Sequence, residues 1–449
     1  MLSSAVIVLI HTGLFYYVLF HQYNDLLFAP LDSGGYLMLL LYAVILIVIF
    51  RTMGALKVGH NKKSNVIISH VITLVFTDAV SYIQLSLIHR AFLPIWQMFV
   101  VLVVQIIISF CWTIVVFRLD EKYIPKKNLL LVYGDKSADR LVYKMLERED
   151  RYCICESVRY IGSSYVKHDN FEEIKSRVKK YDSILISGLE SSIRNDLLKF
   201  CFENNIDVFV PPRISDMMIR AAQPIEQFDS PLVQCMNGSL TATQEIVKRA
   251  FDVIASLAGI IVLSPVLLII ALAIKLYDGG PVLFKQKRVT KDEKVFEIYK
   301  FRSMVVDAEK DGVVIPAEED DPRITPVGKI IRAIRFDELP QLFNILKGDM
   351  SVVGPRPERV EHHEAYTARI SEFPFRTKVK AGLTGYAQVM GKYNTTPYDK
   401  LLLDLEYILN FSFFLDFKII LLTVKVIFMK ESTEGFKHNS KEDKDEKSN

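Results

Sequence analysis

Two adjacent carboxylates, Asp337 and Glu338, lie in a stretch of the chain that is rich in basic residues and prolines. Carboxylates can attack phosphorus or hold a divalent metal ion, and guanidinium groups can neutralise phosphate charge. The basic residues near the pair include Arg332, Arg335, Lys347 and Arg356. These residue types predict a site for phosphoryl chemistry, whereas an isolated acidic pair more often belongs to an ion-pair cluster on the surface.

The elements around the pair must position these side chains. Lys300 and Arg302 alternate at the end of a predicted strand, 295–302, so both side chains can face one phosphate. Arg356 lies between two prolines that restrict the backbone and preorganise the guanidinium, although a rigid turn can also carry an arginine without a function. A helix over DELPQLFNIL places both carboxylates at its N-terminus, where Asp337 could instead act as the N-cap.

Six short motifs follow one another in the second half of the chain. They are Lys248-Arg249-Ala250-Phe251-Asp252, Ser264-Pro265, Lys300-Phe301-Arg302-Ser303-Met304, Asp337-Glu338-Leu339-Pro340-Gln341, Gly354-Pro355-Arg356-Pro357 and Gly382-Leu383-Thr384-Gly385. Their order and spacing, from about Thr243 to Lys430, resemble those of the bacterial sugar transferases, which are polyprenyl-phosphate sugar-1-phosphate transferases. Six motifs in order are far more specific than any one of them. Tyr386, Ala381 and Phe336 depart from the residues usual in this family, and none of them is a reacting group.

The resemblance implies that the protein transfers a hexose 1-phosphate from a UDP-sugar to undecaprenyl phosphate and releases UMP. This would be the first step of capsule, exopolysaccharide or O-antigen synthesis. Asp337 is the expected nucleophile, which forms an aspartyl-phosphosugar, and Glu338 the expected ligand of Mg²⁺. The expected substrate-binding residues are Lys300, Arg302, Arg356, Lys248, Arg249, Asp404 and Asp416. Lys248 and Arg249 are expected against lipid phosphates, or at the interface by simple snorkelling.

Half of the 449 residues are hydrophobic, which predicts a membrane protein. Four apolar segments can cross a hydrocarbon core of about 30 Å: 3–20, 35–50, 66–88 and 97–117. Basic residues concentrate between the second and third segments and after the fourth, whereas the first loop carries Asp25 and Asp32 and no basic residue. The positive-inside rule therefore places both ends of this four-helix unit on the cytoplasmic side. The family resemblance implies that the membrane is a bacterial inner membrane and that the catalytic residues lie on its cytoplasmic face. A net charge of +3 does not indicate a nucleic-acid partner.

The middle of the chain alternates short apolar runs with amphipathic stretches. Strands are predicted at 128–133, 183–187 and 207–210, and helices at 137–148 and 192–203, as in a parallel βαβ sheet. The first turn holds only Gly134, without the further glycines of a dinucleotide-binding loop. The pattern favours a scaffold or regulatory domain over one that binds a ligand.

The apolar segment 251–277 is long enough to span, but a fifth crossing would export the phosphate site. Pro265 kinks a helix, and the hydroxyl of Ser264 can satisfy a carbonyl that the proline leaves unpaired. The segment alone fits a kinked spanning helix and a re-entrant one equally well; the family resemblance implies re-entry, with the bend at these two residues. The charged residues within 401–429 favour an interfacial helix.

The expected fold is therefore a membrane protein of α plus α/β class. Its predicted parts are a four-helix transmembrane bundle (1–120), a Rossmann-like domain (127–217), a linker (218–243), a mostly helical catalytic domain (244–430) with the re-entrant helix 251–277, and a disordered tail (431–449). The bilayer is an expected partner, and a homodimer is an expected assembly. The five cysteines are expected to be reduced and mostly buried, and His362 and His363 to be surface residues. Alternative functions are a membrane-anchored glycosyltransferase, with a metal site at Glu318-Glu319-Asp320-Asp321, or a non-enzymatic regulator of polysaccharide assembly.

Overall fold

The structure, a computed structural model, describes residues 2–23, 33–135, 138–161, 170–227, 229–306, 321–392 and 395–427. The chain divides into two compact units, Met1–Pro212 and Arg213–Asn449. The predicted disordered tail, the acidic residues 318–320 and the first loop with Asp25 and Asp32 lie outside the described residues.

The first unit begins with four long apolar helices. They are α1 (Leu2–Val18, continued by a π-helical turn at Leu19–Tyr23), α2 (Ser33–Met53), α3 (Lys63–His89) and α4 (Trp96–Tyr123). Each is long and apolar enough to cross a membrane. Phe15, Tyr42, Leu46 and Leu74 pack in a shared core, while apolar side chains such as Leu40 remain exposed. Apolar residues on both faces are typical of helices whose outer surface meets lipid.

Buried polar side chains connect these helices. Tyr42 donates a hydrogen bond to Asp78 at 3.0 Å, and Ser109 lies within hydrogen-bond distance of His11 and of His70, at 3.0 and 3.2 Å. These hydrogen bonds between helices satisfy polar groups that would otherwise be unpaired in an apolar bundle.

A parallel four-stranded sheet follows. Its strands β1 (Lys127–Tyr133), β2 (Tyr152–Arg159), β3 (Ser183–Ser187) and β4 (Asp207–Phe209) lie in the order β2-β1-β3-β4, and the helices between them are α5 (Ala138–Leu146), α6 (Phe171–Val178) and α7 (Ser191–Glu203). The predicted parallel βαβ arrangement is confirmed, while β2 and α6 were not predicted. Gly134 is required where the loops after β1 and β3 meet, because a Cβ there would collide with the carbonyl oxygen of Gly188.

The second unit begins at Arg213, within the predicted Rossmann-like domain (127–217), and includes all of the predicted linker (218–243). It contains α8 (Ile214–Arg220) and an antiparallel hairpin of β5 (Gln223–Ile225) and β6 (Leu232–Gln234). Met217, just before the predicted linker, and Leu240 within it both pack in the core of this unit with residues near its C-terminus. Tertiary contacts that the weak periodicity does not reveal therefore order this segment.

The remaining elements of the second unit form a mostly helical domain with two small two-stranded sheets. The helices are α9 (Ala242–Asp278), α10 (Pro326–Ala333), α11 (Gln341–Lys347), α12 (Val360–Arg369), α13 (Tyr386–Met390), α14 (Pro397–Leu409) and α15 (Phe413–Ile427). The antiparallel pair is β7 (Leu283–Val289) with β8 (Val295–Phe301), and the parallel pair is β9 (Ser351–Val353) with β10 (Gly382–Thr384).

Helix α9 is continuous through Pro265. The proline has no N–H for the carbonyl of Ile261, and the hydroxyl of Ser264 donates to that oxygen at 2.7 Å instead. The predicted hydrogen bond from Ser264 to a carbonyl that the proline leaves unpaired is thus confirmed. Large apolar side chains along the helix, among them Val262, Leu268 and Ile269, are exposed.

Three expectations about burial are corrected. Cys111, Cys153, Cys155 and Cys235 are exposed and only Cys201 is buried. His363 is 6% exposed, faces Phe373 and lies 3.4 Å from Glu293, so it is not a surface residue. The segment 401–429 is not one helix but parts of α14 and α15, and its charged residues Asp404, Asp416 and Lys425 are buried while α15 exposes phenylalanines.

Candidate functional site

The carboxylate pair lies in a short 3₁₀ turn, Phe336–Glu338, between α10 and α11. Arg335, just before the turn, has φ 57° and ψ 24°, a left-handed conformation that few residues other than glycine adopt. Phe336 and Leu339 pack against α9 and β8 on either side of the carboxylates. The pair is therefore in a tight turn before the helix that was predicted to contain it, and packing on both sides holds that turn.

Glu338 is held by two cations. Its Oε1 accepts hydrogen bonds from Lys300 Nζ at 2.7 Å and from Arg356 Nη2 at 2.9 Å. The side chain of Glu338 is only 13% exposed. Burial opposes its ionisation, but Arg356 and Lys300 outweigh burial and hold the pKa of Glu338 well below its usual range. Glu338 is therefore a fixed negative charge between a strand residue and a loop residue.

Asp337 differs from its neighbour. Among the described residues, no lysine, arginine or histidine nitrogen lies within 4.0 Å of its carboxylate. Burial raises the pKa of Asp337; Lys300 opposes that rise and the charge of Glu338 adds to it. A carboxylate that is ionised and not engaged by a cation keeps its lone pairs for a reaction. Of the two, Asp337 therefore has the surroundings of a nucleophile.

Asn344 fixes the distance between Lys300 and the pair. It is fully buried in α11, its Oδ1 accepts from the backbone of Tyr299 at 2.9 Å, and its Nδ2 donates to the carbonyl of Glu297 at 2.7 Å. These bonds join α11, which follows the carboxylates, to β8, which carries Lys300. Sequence patterns did not reveal this role, since an Asn in an apolar helix has no chemical signature of its own.

A buried arginine, Arg376, holds the loop that carries Arg356. The sequence patterns did not identify this residue. Arg376 is 4% exposed, and its Nη2 donates to the backbone oxygen of Arg356 at 3.0 Å. Asp404 binds the same guanidinium at 2.7 Å and Glu358 at 3.2 Å. Burial raises the pKa of Asp404 to about 6 although Arg376 opposes this shift. Asp404 thus reaches the site indirectly, through Arg376.

Additional positive charge lies near Arg356. Burial and the neighbouring Arg356 and Arg359 lower the pKa of Arg288 to about 10. Arg288 on β7 donates to the carbonyl of Pro357 at 3.1 Å. A concentration of guanidinium groups that repel one another is typical of a site that receives an anion.

Other predicted site residues have different partners. Arg302 leaves the phosphate side of the strand and pairs with Asp278 at the end of α9. Lys347 is exposed and pairs with Asp349 at 3.1 Å. The expected facing of Lys300 and Arg302 towards one phosphate is therefore not seen, because the two side chains bind different carboxylates.

Lys248 and Arg249 are turned into the protein and not towards lipid phosphates. Lys248 is buried and pairs with Asp416 at 2.6 Å, and Tyr407 donates to the same carboxylate at 2.8 Å. Arg249 donates to the carbonyls of Ile345 and Leu346 at 2.6 and 2.7 Å, where α11 ends. Their expected place at the membrane surface has to be corrected, since both cations already have internal partners.

The carboxylates of the site could contribute to binding a magnesium ion. Among the described residues there is no group of three or more His, Cys, Asp or Glu side chains suited to a metal ion. Lys300 and Arg356 both bind Oε1 of Glu338, so Oε2 is outside these two bonds. Mg²⁺ in phosphoryl-transfer sites is held by one or two carboxylates together with substrate phosphates and water. The residues fit a magnesium ion that arrives with its substrate, and not a resident metal centre.

Comparison with known proteins agrees with this site. The model of the family described as bacterial sugar transferase matches residues 243–430. A UDP-N-acetylgalactosamine-undecaprenyl-phosphate N-acetylgalactosaminephosphotransferase of Aeromonas hydrophila is 31% identical over 327 residues, which are 71% of this chain and 70% of that protein.

Two further relatives match shorter parts of the chain. The UDP-glucose:undecaprenyl-phosphate glucose-1-phosphate transferase of Escherichia coli K12 is 40% identical over 227 residues, 49% of each chain. The exopolysaccharide production protein PSS of Rhizobium leguminosarum is 43% identical over 187 residues, 40% of this chain and 94% of that protein. The chain thus aligns with about half of the Escherichia coli relative and with most of the Aeromonas and Rhizobium ones. On this similarity, the chain belongs to the bacterial sugar transferase family.

Proposed function

We propose that the protein transfers a hexose 1-phosphate from a UDP-sugar to undecaprenyl phosphate and releases UMP. The observation that carries this proposal is the difference between the two adjacent carboxylates: Glu338 is fixed by Lys300 and Arg356, and Asp337 has no cation within 4.0 Å among the described residues. The names of the Aeromonas and Escherichia coli relatives support both the lipid acceptor and the UDP-linked donor. The relatives differ in their sugar, so the choice of hexose is left to experiment.

In the proposed mechanism a carboxylate oxygen of Asp337 attacks the phosphorus that bears the sugar. The bond to the UMP oxygen breaks, and an aspartyl-phosphosugar remains on the protein. An oxygen of undecaprenyl phosphate then attacks the same phosphorus and releases Asp337. Lys300 and Arg356 lie where they can bind the phosphate oxygens during both steps, so negative charge at phosphorus meets fixed positive charge.

Glu338 is the residue proposed to hold Mg²⁺, through the oxygen that Lys300 and Arg356 leave outside their hydrogen bonds. The ion would neutralise pyrophosphate charge when bound with the donor. Glu338 also keeps Lys300 and Arg356 at a fixed separation, a role that its own hydrogen bonds support.

Helix α9 is proposed to enter the membrane from the cytoplasmic side and to return to it. Residues on both sides of Pro265 bind the same domain: Asp252 accepts from Ser351 at 3.0 Å and from the backbone of Val352 at 2.9 Å, and Asp278 pairs with Arg302. A straight spanning helix would carry its two ends to opposite faces of a bilayer about 30 Å thick. Contacts of both ends with one domain support re-entry, with the four helices α1–α4 as the proposed transmembrane bundle and the inner membrane as the location.

The reaction is tested by its leaving group. Purified full-length protein is incubated with Mg²⁺, undecaprenyl phosphate and a panel of UDP-hexoses. The proposal expects release of UMP with at least one donor. When the lipid is omitted, UMP release should not exceed one equivalent per protein. Release of UDP would instead indicate a glycosyltransferase, and release of neither nucleotide would indicate a regulator of polysaccharide assembly.

A further inference from the structure

The edge strand of the parallel sheet carries two thiols that the proposed reaction does not use. Cys153 and Cys155 are both exposed, and their sulfur atoms lie 3.5 Å apart. In a regular strand, side chains two residues apart are separated by about 6.6 Å. The two sulfurs are therefore much closer than the strand geometry alone would bring them.

A bulge in the strand accounts for this approach. Leu129 of β1 pairs with Ile154, and the next residue, Leu130, pairs with Glu156, so Cys155 has no partner opposite it. A β-bulge bends its strand and re-aims the side chains beside it. Because β2 is the outermost strand, this bent segment is open to solvent on the side away from β1.

We propose that Cys153 and Cys155 form a dithiol site for exchange with low-molecular-weight disulfides, and that its oxidised form is a disulfide between the two residues. The thiol of Cys155 lies within hydrogen-bond distance of the Cys153 sulfur, and this contact raises the pKa of Cys155. In the proposed exchange Cys153 is therefore the attacking residue, and Cys155, whose sulfur already lies against it, is the resolving one.

The exchange takes place in two balanced steps. The Cys153 thiolate attacks one sulfur of the small disulfide, which gives a mixed disulfide and releases one thiolate. Cys155 then loses its proton, and its sulfur attacks the Cys153 sulfur, which breaks the mixed disulfide and releases the second thiolate. The protein loses two electrons and two protons, and the small disulfide becomes two thiols.

The chain offers a convenient readout and a matched control. Trypsin cleavage after Arg151 and Arg159 leaves both thiols in one peptide, Tyr152–Arg159. Cys235 is also exposed and serves as a single-thiol comparison. The full-length protein in nanodiscs is treated with glutathione disulfide in the presence of about 0.1 mM glutathione, remaining thiols are alkylated, and peptides are analysed by mass spectrometry.

At this glutathione concentration, an effective thiol concentration in the millimolar range favours the internal disulfide over the mixed one by about tenfold. We expect Tyr152–Arg159 to lose two hydrogens without a glutathione adduct, whereas Cys235 carries the adduct. Both Cys153→Ser and Cys155→Ser should accumulate the adduct at the remaining thiol, about tenfold more than the wild type. A wild-type peptide that keeps its adduct as fully as the single variants, or that stays reduced while Cys235 reacts, would overturn the proposal.

Discussion

Arg376 donates a hydrogen bond from its buried guanidinium to the backbone oxygen of Arg356, at 3.0 Å. Arg376 thus positions Arg356: the side chain of Arg356 is 44% exposed, whereas that of Arg376 is only 4% exposed. Asp404 and Glu358 bind the guanidinium of Arg376, so two acidic residues outside the carboxylate pair determine where Arg356 lies.

Arg376→Lys is expected to fold and to lose activity. A lysine keeps the charge but cannot bind two carboxylates and a backbone oxygen with planar geometry. A displacement of Arg356 by about 1 Å should lower kcat/KM by roughly 100-fold. In a double-mutant cycle with Arg356→Lys the two losses should be less than multiplicative, because both act through one phosphate contact. Fully multiplicative losses would contradict the positioning role.

Lys300→Met should move the acid limb of the pH profile of kcat/KM to higher pH. Asp337 must be ionised to attack, and Lys300 opposes the rise that burial causes in the pKa of Asp337. Removing the cation therefore raises this pKa further, and activity is lost at a higher pH when the solution is acidified. Lys347→Met, which removes an exposed lysine paired with Asp349, is the matched control and should leave the limb unchanged. An acid limb that stays in place in Lys300→Met would remove Asp337 as the titrating nucleophile.

Glu338→Gln and Asp337→Asn should separate the roles of the pair. Asparagine at 337 has no nucleophilic oxygen, so UMP release should disappear at every Mg²⁺ concentration. Glutamine at 338 removes a charged ligand, and the Mg²⁺ concentration for half-maximal rate should rise at least about tenfold. The measurement is UMP release over a magnesium titration. An unchanged titration in Glu338→Gln would exclude that residue as a ligand.

Lys248→Met should destabilise the protein by about 3–5 kcal/mol, because it leaves Asp416 buried without its cation. The double variant Lys248→Met with Asp416→Leu should recover most of that stability and keep a nearly normal KM for undecaprenyl phosphate. Chemical unfolding in detergent and lipid titrations measure the two effects. A stable double variant whose KM for the lipid rises strongly would restore Lys248 as a phosphate-binding residue.

Pro265→Ala should allow part of the molecules to span the membrane. Restoring the hydrogen bond and removing the ring favours a straight helix by about 3 kcal/mol. In a variant without native cysteines, thiols introduced at Thr243, exposed in the first turn of α9, and at Lys287, exposed on β7, report the side of each end. In the parent protein, both introduced thiols should be labelled only from the cytoplasm. In Pro265→Ala, the thiol at position 287 should also be labelled in part from outside. Arg90→Cys, in the third loop, is the control for external labelling.

The sequence predicts best what local pattern determines. Apolar runs locate β1, β3 and β4, and the hydroxyl of Ser264 could be assigned because its acceptor is one turn away. The edge strand β2 was missed, since its sequence YCICESVR mixes apolar residues with cysteines, a serine and two charged residues instead of presenting an apolar run. The motifs indicate the residues of the candidate site, but the partners of Lys248 and Arg376 could not be predicted. Those partners are 168 and 28 residues away along the chain, and only the folded domain brings them together.

The contacts of α9 also set a condition on the biosynthesis of the protein. Lys248 finds Asp416 only after 168 further residues have been made, which takes roughly 10–30 s at bacterial rates of synthesis. During that interval the most apolar helix of the second unit leaves the ribosome without the domain that holds both of its ends. The insertion machinery therefore meets a segment that qualifies as a spanning helix before the rest of the chain can oppose it. Pro265 lies within the segment itself, so it disfavours a straight spanning helix from the moment the helix forms.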